Sequence, residues 1–204
     1  SFNKIIGAKN SVSQNAYYHL AECYLYLEKK PEALNAFKSA SEMDFNLKIK
    51  EDASLNYAKL SYEEGNPYKS VAVVLQDFLA AYPKSPHYQE VKDLVVASYL
   101  YQQDYQGALD YVSKEKSKKN NALMKEISFY RGVQLFNKHK LQDAYTFFTI
   151  AIESTDTTIK ASALFWKAET DFLRSNFQDA LDGFKQFKAT KNASKTTEFN
   201  RVDY

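Results

Sequence analysis

Apolar and small residues recur along the chain at helical spacing, in paired stretches separated by short polar turns. The first pair lies in residues 15–45, NAYYHLAECYLYLEKKPEALNAFKSASEMDF. Tyr17, Leu20, Ala21 and Tyr24 mark one face of a helix over 14–27. Ala33, Phe37 and Ala40 mark one face of a second helix over 31–43. The turn falls at 29–31. Pro31 then sits in the first turn of the second helix, where its missing N–H costs no hydrogen bond. Period-two alternation, the mark of a half-buried strand, is hard to find, so the pattern predicts an all-α chain.

The paired pattern recurs four more times. Leu55, Ala58 and Tyr62 share a face, Gly65-Asn66-Pro67 makes a turn, and Val71, Leu75, Phe78 and Leu79 follow. That turn is one residue longer than the repeat norm, which leaves the register open by one, and the second helix stops at AYPKSP, where Pro83 and Pro86 oppose continuation. Val91, Leu94, Val95 and Ser98 precede Ala108, Leu109 and Val112 in a third pair. Phe129, Gly132, Leu135 and Phe136 precede Ala144, Phe148 and Ala151 in a fourth. In the fifth, Leu164, Phe165, Ala168 and Phe172 precede Phe177, Ala180, Phe184 and Phe187, and FWKAETDF echoes the earlier FYRGVQLF. A Gly at 132 costs about 1 kcal/mol of helix propensity, so its place predicts a close approach of two helices. The first small residues of the second helices are Ala33, Ser70 or Val71, Ala108, Ala144 and Ala180, spaced by 36 to 38 residues.

This pattern resembles the tetratricopeptide repeat (TPR), in which an aromatic, a Leu and a small residue in helix A precede Ala, an aromatic and Ala in helix B over about 34 residues. The resemblance covers about residues 14–188. It implies an α-solenoid, a superhelix of about five antiparallel helix-turn-helix units, with repeats at about 14–44, 51–83, 87–118, 121–154 and 159–188. Residues 1–13, with Phe2, Ile5 and Ile6, read as the end of a preceding repeat. Residues 190–204, with Phe199, Val202 and Tyr204, read as the start of a following A helix. The expectation is a single array, 1–204, cut within a repeat at both ends. The AYPKSP ending and aromatic-rich A helices also resemble the TPR proteins of bacterial cell envelopes, and FYRGVQLF, FWKAE and GNPYKSV together resemble large TPR proteins of Bacteroidetes. That likeness favours a periplasmic or envelope setting in a Gram-negative bacterium.

Composition narrows the function. The chain of 204 residues carries 27 basic and 25 acidic residues, a net charge of +2, and 16 Tyr and 14 Phe. The dense basic stretch KEKSKK at 114–119 reads as a solvated helix end, so a nucleic-acid partner is not expected. One cysteine, Cys23, excludes an internal disulfide, and no apolar run is long enough to span a bilayer. His19 and Cys23 stand four apart on one helix as half of a metal site, with no second ligand pair nearby. The five Gly are isolated and form no phosphate loop, and no nucleophile motif is present. Glu63-Glu64 and Glu169 with Asp171 read as solvated helix faces, and Asn192-Ala193-Ser194 is a formal glycosylation sequon. The reading is therefore of a non-enzymatic chain without cofactor or metal.

The TPR resemblance places partner-facing residues near the second, fifth, ninth, twelfth and thirteenth positions of each A helix. Carried onto this chain, the groove residues are Tyr18, Glu22, Tyr26, Leu55, Lys59 and Tyr62, then Tyr101, Phe129, Phe165 and Glu169. The Lys-and-Asn carboxylate clamp of chaperone-binding repeats is missing from the fifth and ninth positions. An aromatic groove suits an extended or helical peptide held by apolar anchors. For Phe136 and Phe172, packing against the next repeat weighs as much as partner contact. The expected role is a non-enzymatic protein–protein interaction scaffold that binds a peptide or protein partner in the concave groove of the superhelix, in cell-envelope assembly. The alternative is a structural spacer, or a segment that self-associates through exposed array ends.

Overall fold

A computed structural model describes residues 9–202. The expectation for Phe2, Ile5 and Ile6, like that for Tyr204, lies outside the described residues. Among those residues the chain is all helical: α1 (Ser11–Tyr26), α2 (Lys30–Ser41), α3 (Leu47–Glu64), α4 (Val71–Ala81) and α5 (Tyr88–Tyr101), then α6 (Tyr105–Val112), α7 (Lys118–Asn137), α8 (Leu141–Ala151), α9 (Thr157–Leu173) and α10 (Phe177–Ala189). Two single-turn 3-10 helices, Ala193–Lys195 and Phe199–Arg201, follow.

The chain divides into two compact units, Ser1–Gln102 and Gln103–Tyr204. Within each, consecutive helices pack in chain order as antiparallel neighbours, and alternate helices also touch, α1 with α3, α3 with α5, and α7 with α9. This is the stacking of an α-solenoid, in which each hairpin buries the apolar face of its neighbour.

Local chemistry sets the helix ends. Asn10 caps α1 by accepting from the Ser13 N–H at 2.9 Å, while the Ser13 hydroxyl accepts from the Asn10 N–H at 2.9 Å. This reciprocal capping box starts α1 three residues before the expected boundary. Asn46 caps α3, and Asp156 caps α9, each accepting from two backbone N–H groups. Ser117 caps α7 through the Asn120 N–H at 3.0 Å. The last two lysines of KEKSKK therefore belong to the first turn of a helix, which begins before the expected start near Asn121.

The turns that follow α1, α3, α5, α7 and α9 share one local backbone device. Glu28, Gln103, His139 and Ser175 all have φ between 55° and 64°, and Gly65 has φ 81°. A left-handed residue at this place ends the helix that precedes it. Each non-glycine member lies five residues before a buried small residue, namely Ala33, Ala108, Ala144 and Ala180. Gly65 lies six before buried Val71, which shows the longer turn and selects Val71 over the exposed cap Ser70.

In the first unit Ala21, Ala33, Leu34, Phe37, Ala40 and Ala53 form the core, flanked by Tyr17, Tyr18 and Tyr24. In the second, Phe148 packs with Leu135 and Ala144, and Phe165 packs with Ala161, Leu164 and Phe187. Gly132 opposes Phe148, in keeping with the close approach predicted there. Among the described residues the segment after α10 holds no α-helix. It makes the two 3-10 turns, with Phe199 and Val202 packed on the Phe165 cluster.

Candidate functional site

In the first unit α3 borders two clefts, one shared with α1 and the segment before α5, the other with α5. The first, about 480 Å³, is lined by Tyr18, Ile49, Asp52, Leu55, Pro86 and His87. The second, about 470 Å³, is lined by Tyr62, Glu63, Glu64, Val71, Ser98 and Tyr101. Both volumes fall within the usual range of ligand pockets. Between them along α3 stands Lys59, whose Nζ lies 2.7 Å from Glu90 Oε1. Glu90 Oε2 in turn lies 3.0 Å from His87 Nδ1. The hydrogen bond from Lys59, then that from His87, holds the Glu90 carboxyl below its ordinary pKa.

The tyrosines near the C-terminal ends of α1, α3 and α5 face solvent. Tyr26 is 89% exposed, Tyr62 37% and Tyr101 89%. A tyrosine ring is a large, stiff, amphipathic contact surface, and such residues dominate binding hot spots. Glu22 is also exposed, with its carboxylate 2.6 Å from His19 Nδ1. That bond engages the histidine which the sequence paired with Cys23. Among the described residues no three potential ligands gather to hold a metal.

Other expected groove residues serve the fold. The Tyr18 hydroxyl donates to Asp52 Oδ2 on the neighbouring A helix, and its ring meets Phe37 edge-on at 5.7 Å. Burial first, then the hydrogen bond to Asp52 and its charge, raises the Tyr18 pKa far above the ordinary value. Leu55 is buried at the wall of the first cleft, and Lys59 is engaged by Glu90. Phe129 is half-buried against Tyr130 and Phe148, with centroids at 5.4 and 6.4 Å. Of the two aromatics with balanced readings, Phe136 packs edge-on against Trp166 at 5.1 Å, whereas Phe172 is exposed beside Phe177.

Phe165 requires a correction. It is 0% exposed and cannot anchor a partner, because Phe184, Phe187 and Trp166 surround it and Arg201 lies over its ring at 4.8 Å. The chain's own C-terminal segment takes the face of α9 that was expected to be open. Glu198 accepts from Trp166 Nε1 at 2.9 Å and from the Ser162 hydroxyl at 3.2 Å, and Arg201 reaches Glu169 Oε1 at 3.4 Å. Glu169 is therefore an ion-pair partner of Arg201. Asp171, expected on a solvated face, is buried, with Asn176 Nδ2 at 3.3 Å and Lys167 Nζ at 3.4 Å.

Sequence periodicity did not single out Ser98 or Glu64 as cleft-lining residues, nor Asp52 as the partner of Tyr18. The last had a signal: a tyrosine in one A helix and a carboxylate 34 residues later, at the start of the next.

No protein-family model matches the chain, and no curated protein matches it. Among solved structures it is similar to MamA AMB-1, at 17% identity over 95% of this chain and 99% of that one, with a TM-score of 0.47. It is also similar to YrrB, described as a TPR protein with an unusual peptide-binding site, at 19% identity over 92% of this chain and 90% of that one, TM-score 0.45. A Podosopora anserina kinesin light chain with nearly identical TPR-like repeats shows 11% identity over 89% of this chain and 95% of that one, TM-score 0.37.

Proposed function

We propose that this chain is a non-enzymatic scaffold that holds a segment of a partner protein against the α3–α5 side of its first unit. The observation that carries this reading is the pair of clefts along α3, with Tyr62 of α3 and Tyr101 of α5 both lining the second. Apolar walls with a few polar groups suit a peptide whose side chains anchor in turn. The titratable groups here engage one another: Tyr18 with Asp52, Lys59 with Glu90, and Glu63 and Glu64 with Lys30. None is left as a paired nucleophile and base of the kind acyl or phosphoryl transfer needs. The resemblance of the aromatic-rich A helices to envelope TPR proteins supports a setting for this role in bacterial cell-envelope assembly.

The test uses a random dodecapeptide library displayed on phage and selected against the whole chain. Selected peptides should bind the chain at least tenfold more tightly than a Tyr62→Ala/Tyr101→Ala variant with an unchanged denaturation midpoint. Equal binding to both proteins would rule out the α3–α5 surface.

A second reading, self-association within a larger assembly, is favoured by one patch of the second unit. Phe172, Leu173, Phe177 and Leu181 are all exposed there, and the rings of Phe172 and Phe177 meet at 5.6 Å. Clustered exposed apolar groups mark interaction surfaces. Light scattering across a hundredfold concentration range tests it. A concentration-dependent rise in mass that Phe177→Ser abolishes supports self-association, and a constant monomer mass removes it.

A further inference from the structure

The second cleft has a charge that its apolar walls do not require. Its lining residues include two carboxylates, Glu63 and Glu64, and no cationic side chain. Both carboxylates pair with Lys30, from the start of α2, whose Nζ lies 3.0 Å from Glu63 Oε2 and 2.8 Å from Glu64 Oε1. One ammonium shared by two carboxylates leaves a net negative charge at the cleft mouth. All three side chains are substantially exposed, so the charges exchange readily with those of a ligand.

The same cleft offers two tyrosine rings, Tyr62 from α3 and Tyr101 from α5, and a wall formed by Val71 and Ser98. A planar cation suits this combination. Its edge meets a carboxylate through two parallel hydrogen bonds, its face stacks on an aromatic ring, and its aliphatic stem covers apolar surface. A lysine can neutralise the charge but presents neither the planar face nor the fork.

We propose that the second cleft receives the guanidinium of an arginine in the partner segment, at the Glu63–Glu64 carboxylates and between Tyr62 and Tyr101. Lys30 is the internal competitor, holding the carboxylates until the arginine arrives. The inference rests on the peptide-binding reading of this surface and adds to it the chemistry of one anchor. It also makes binding depend on salt, since the charges meet at an accessible mouth.

The decisive experiment starts from the dodecapeptides selected on the whole chain. One arginine-containing peptide is resynthesised with lysine, citrulline, leucine or glutamate at that position. Citrulline keeps the shape of arginine and removes its charge. Affinities are measured by fluorescence anisotropy at 50 and 300 mM salt.

Arginine should be enriched at one position and bind at least tenfold more tightly than citrulline. Glu63→Gln/Glu64→Gln should erase that preference while changing citrulline binding less than twofold. Lys30→Met should tighten arginine binding several-fold, because the competitor is gone. Peptides that bind without preferring arginine over citrulline, or a preference that survives loss of both carboxylates, would overturn the arginine subsite and leave the groove standing. A library that yields no binder would overturn both. The exposed positions of these three side chains keep the fold intact, which an unchanged circular-dichroism melting curve verifies.

Discussion

The side-chain amide of Gln14 pairs with the peptide groups of Asn46 in both directions. Its Oε1 accepts from the Asn46 N–H at 2.7 Å, and its Nε2 faces the Asn46 carbonyl at 3.3 Å. The same Nε2 donates to the carbonyl of Met43 at 2.6 Å and reaches that of Ala40 at 3.2 Å. Gln14 is 0% exposed. One buried amide thus satisfies the carbonyls that end α2 and fixes the residue that caps α3.

Gln14→Leu keeps the volume of the side chain and removes every one of these bonds. Each orphaned buried group costs about 1–3 kcal/mol, so the loss should be about 2–4 kcal/mol. Urea denaturation followed by circular dichroism reads it, with Asn15→Ala, an exposed neighbour, as the control. A Gln14→Leu loss below that of the control would show that the clamp is not formed.

Gly132 is a packing requirement. A Cβ built there would stand 2.6 Å from Phe148 Cε1, and one at Gly183 would stand 2.8 Å from the Ala168 Cβ. Gly132→Ala should destabilise by about 1–3 kcal/mol, although Ala is the better helix former by about 1 kcal/mol. Phe148→Leu should recover part of that loss in the double variant, since the two sites are in contact. Thermal melts of the four proteins complete the cycle. Additive losses would disprove the clash.

The recurrence of small and aromatic residues makes the hairpins legible in the sequence, because the helix period repeats faithfully on the buried face. Ala33, Phe37, Ala144 and Phe148 are all buried. Contacts that cross from one repeat to another have no period to reveal them. Phe165 reads like Phe129, but Arg201, 36 positions later, covers its ring. Asp171 reads as solvated beside Glu169, yet Lys167 and Asn176 reach it on the inside. The clamp by Gln14 was equally hidden, since a polar residue at the start of a helix usually faces water. The exposed Tyr26, Tyr62 and Tyr101 were legible because each sits near the end of its helix, past the core stripe.

The left-handed turn residues give a route to stabilisation. Glu28, Gln103, His139 and Ser175 carry a Cβ in a region that disfavours one, at a cost of about 1–2 kcal/mol. Glycine removes that strain but adds freedom to the unfolded chain, so each Gly substitution should gain a net of about 0.5 kcal/mol. Gly65→Ala should do the reverse, as its φ is 81° and open space around it offers no compensating contact. Urea midpoints of the single variants and of the Glu28→Gly/Ser175→Gly pair read the effect. Gains at most sites together with a loss at Gly65 verify the shared turn; losses throughout refute it.

Tyr18 and Asp52 together set an alkaline limit on the first unit. In the fold, burial and then the Asp52 hydrogen bond and charge hold the Tyr18 proton well above its ordinary pKa of 10.0. The unfolded chain, by contrast, releases that proton near 10. The unfolded state then binds fewer protons than the native one above pH 10, so stability falls as pH rises. The contribution is fully present below pH 10 and drains away from there towards the higher folded value. Tyr18→Phe removes both the contact and its pH dependence. At pH 8 the wild-type chain should be the more stable, and the gap between the two urea midpoints should shrink steadily from pH 10 to 11. A gap that stays constant over that interval would mean that the Tyr18 hydroxyl does not reach Asp52.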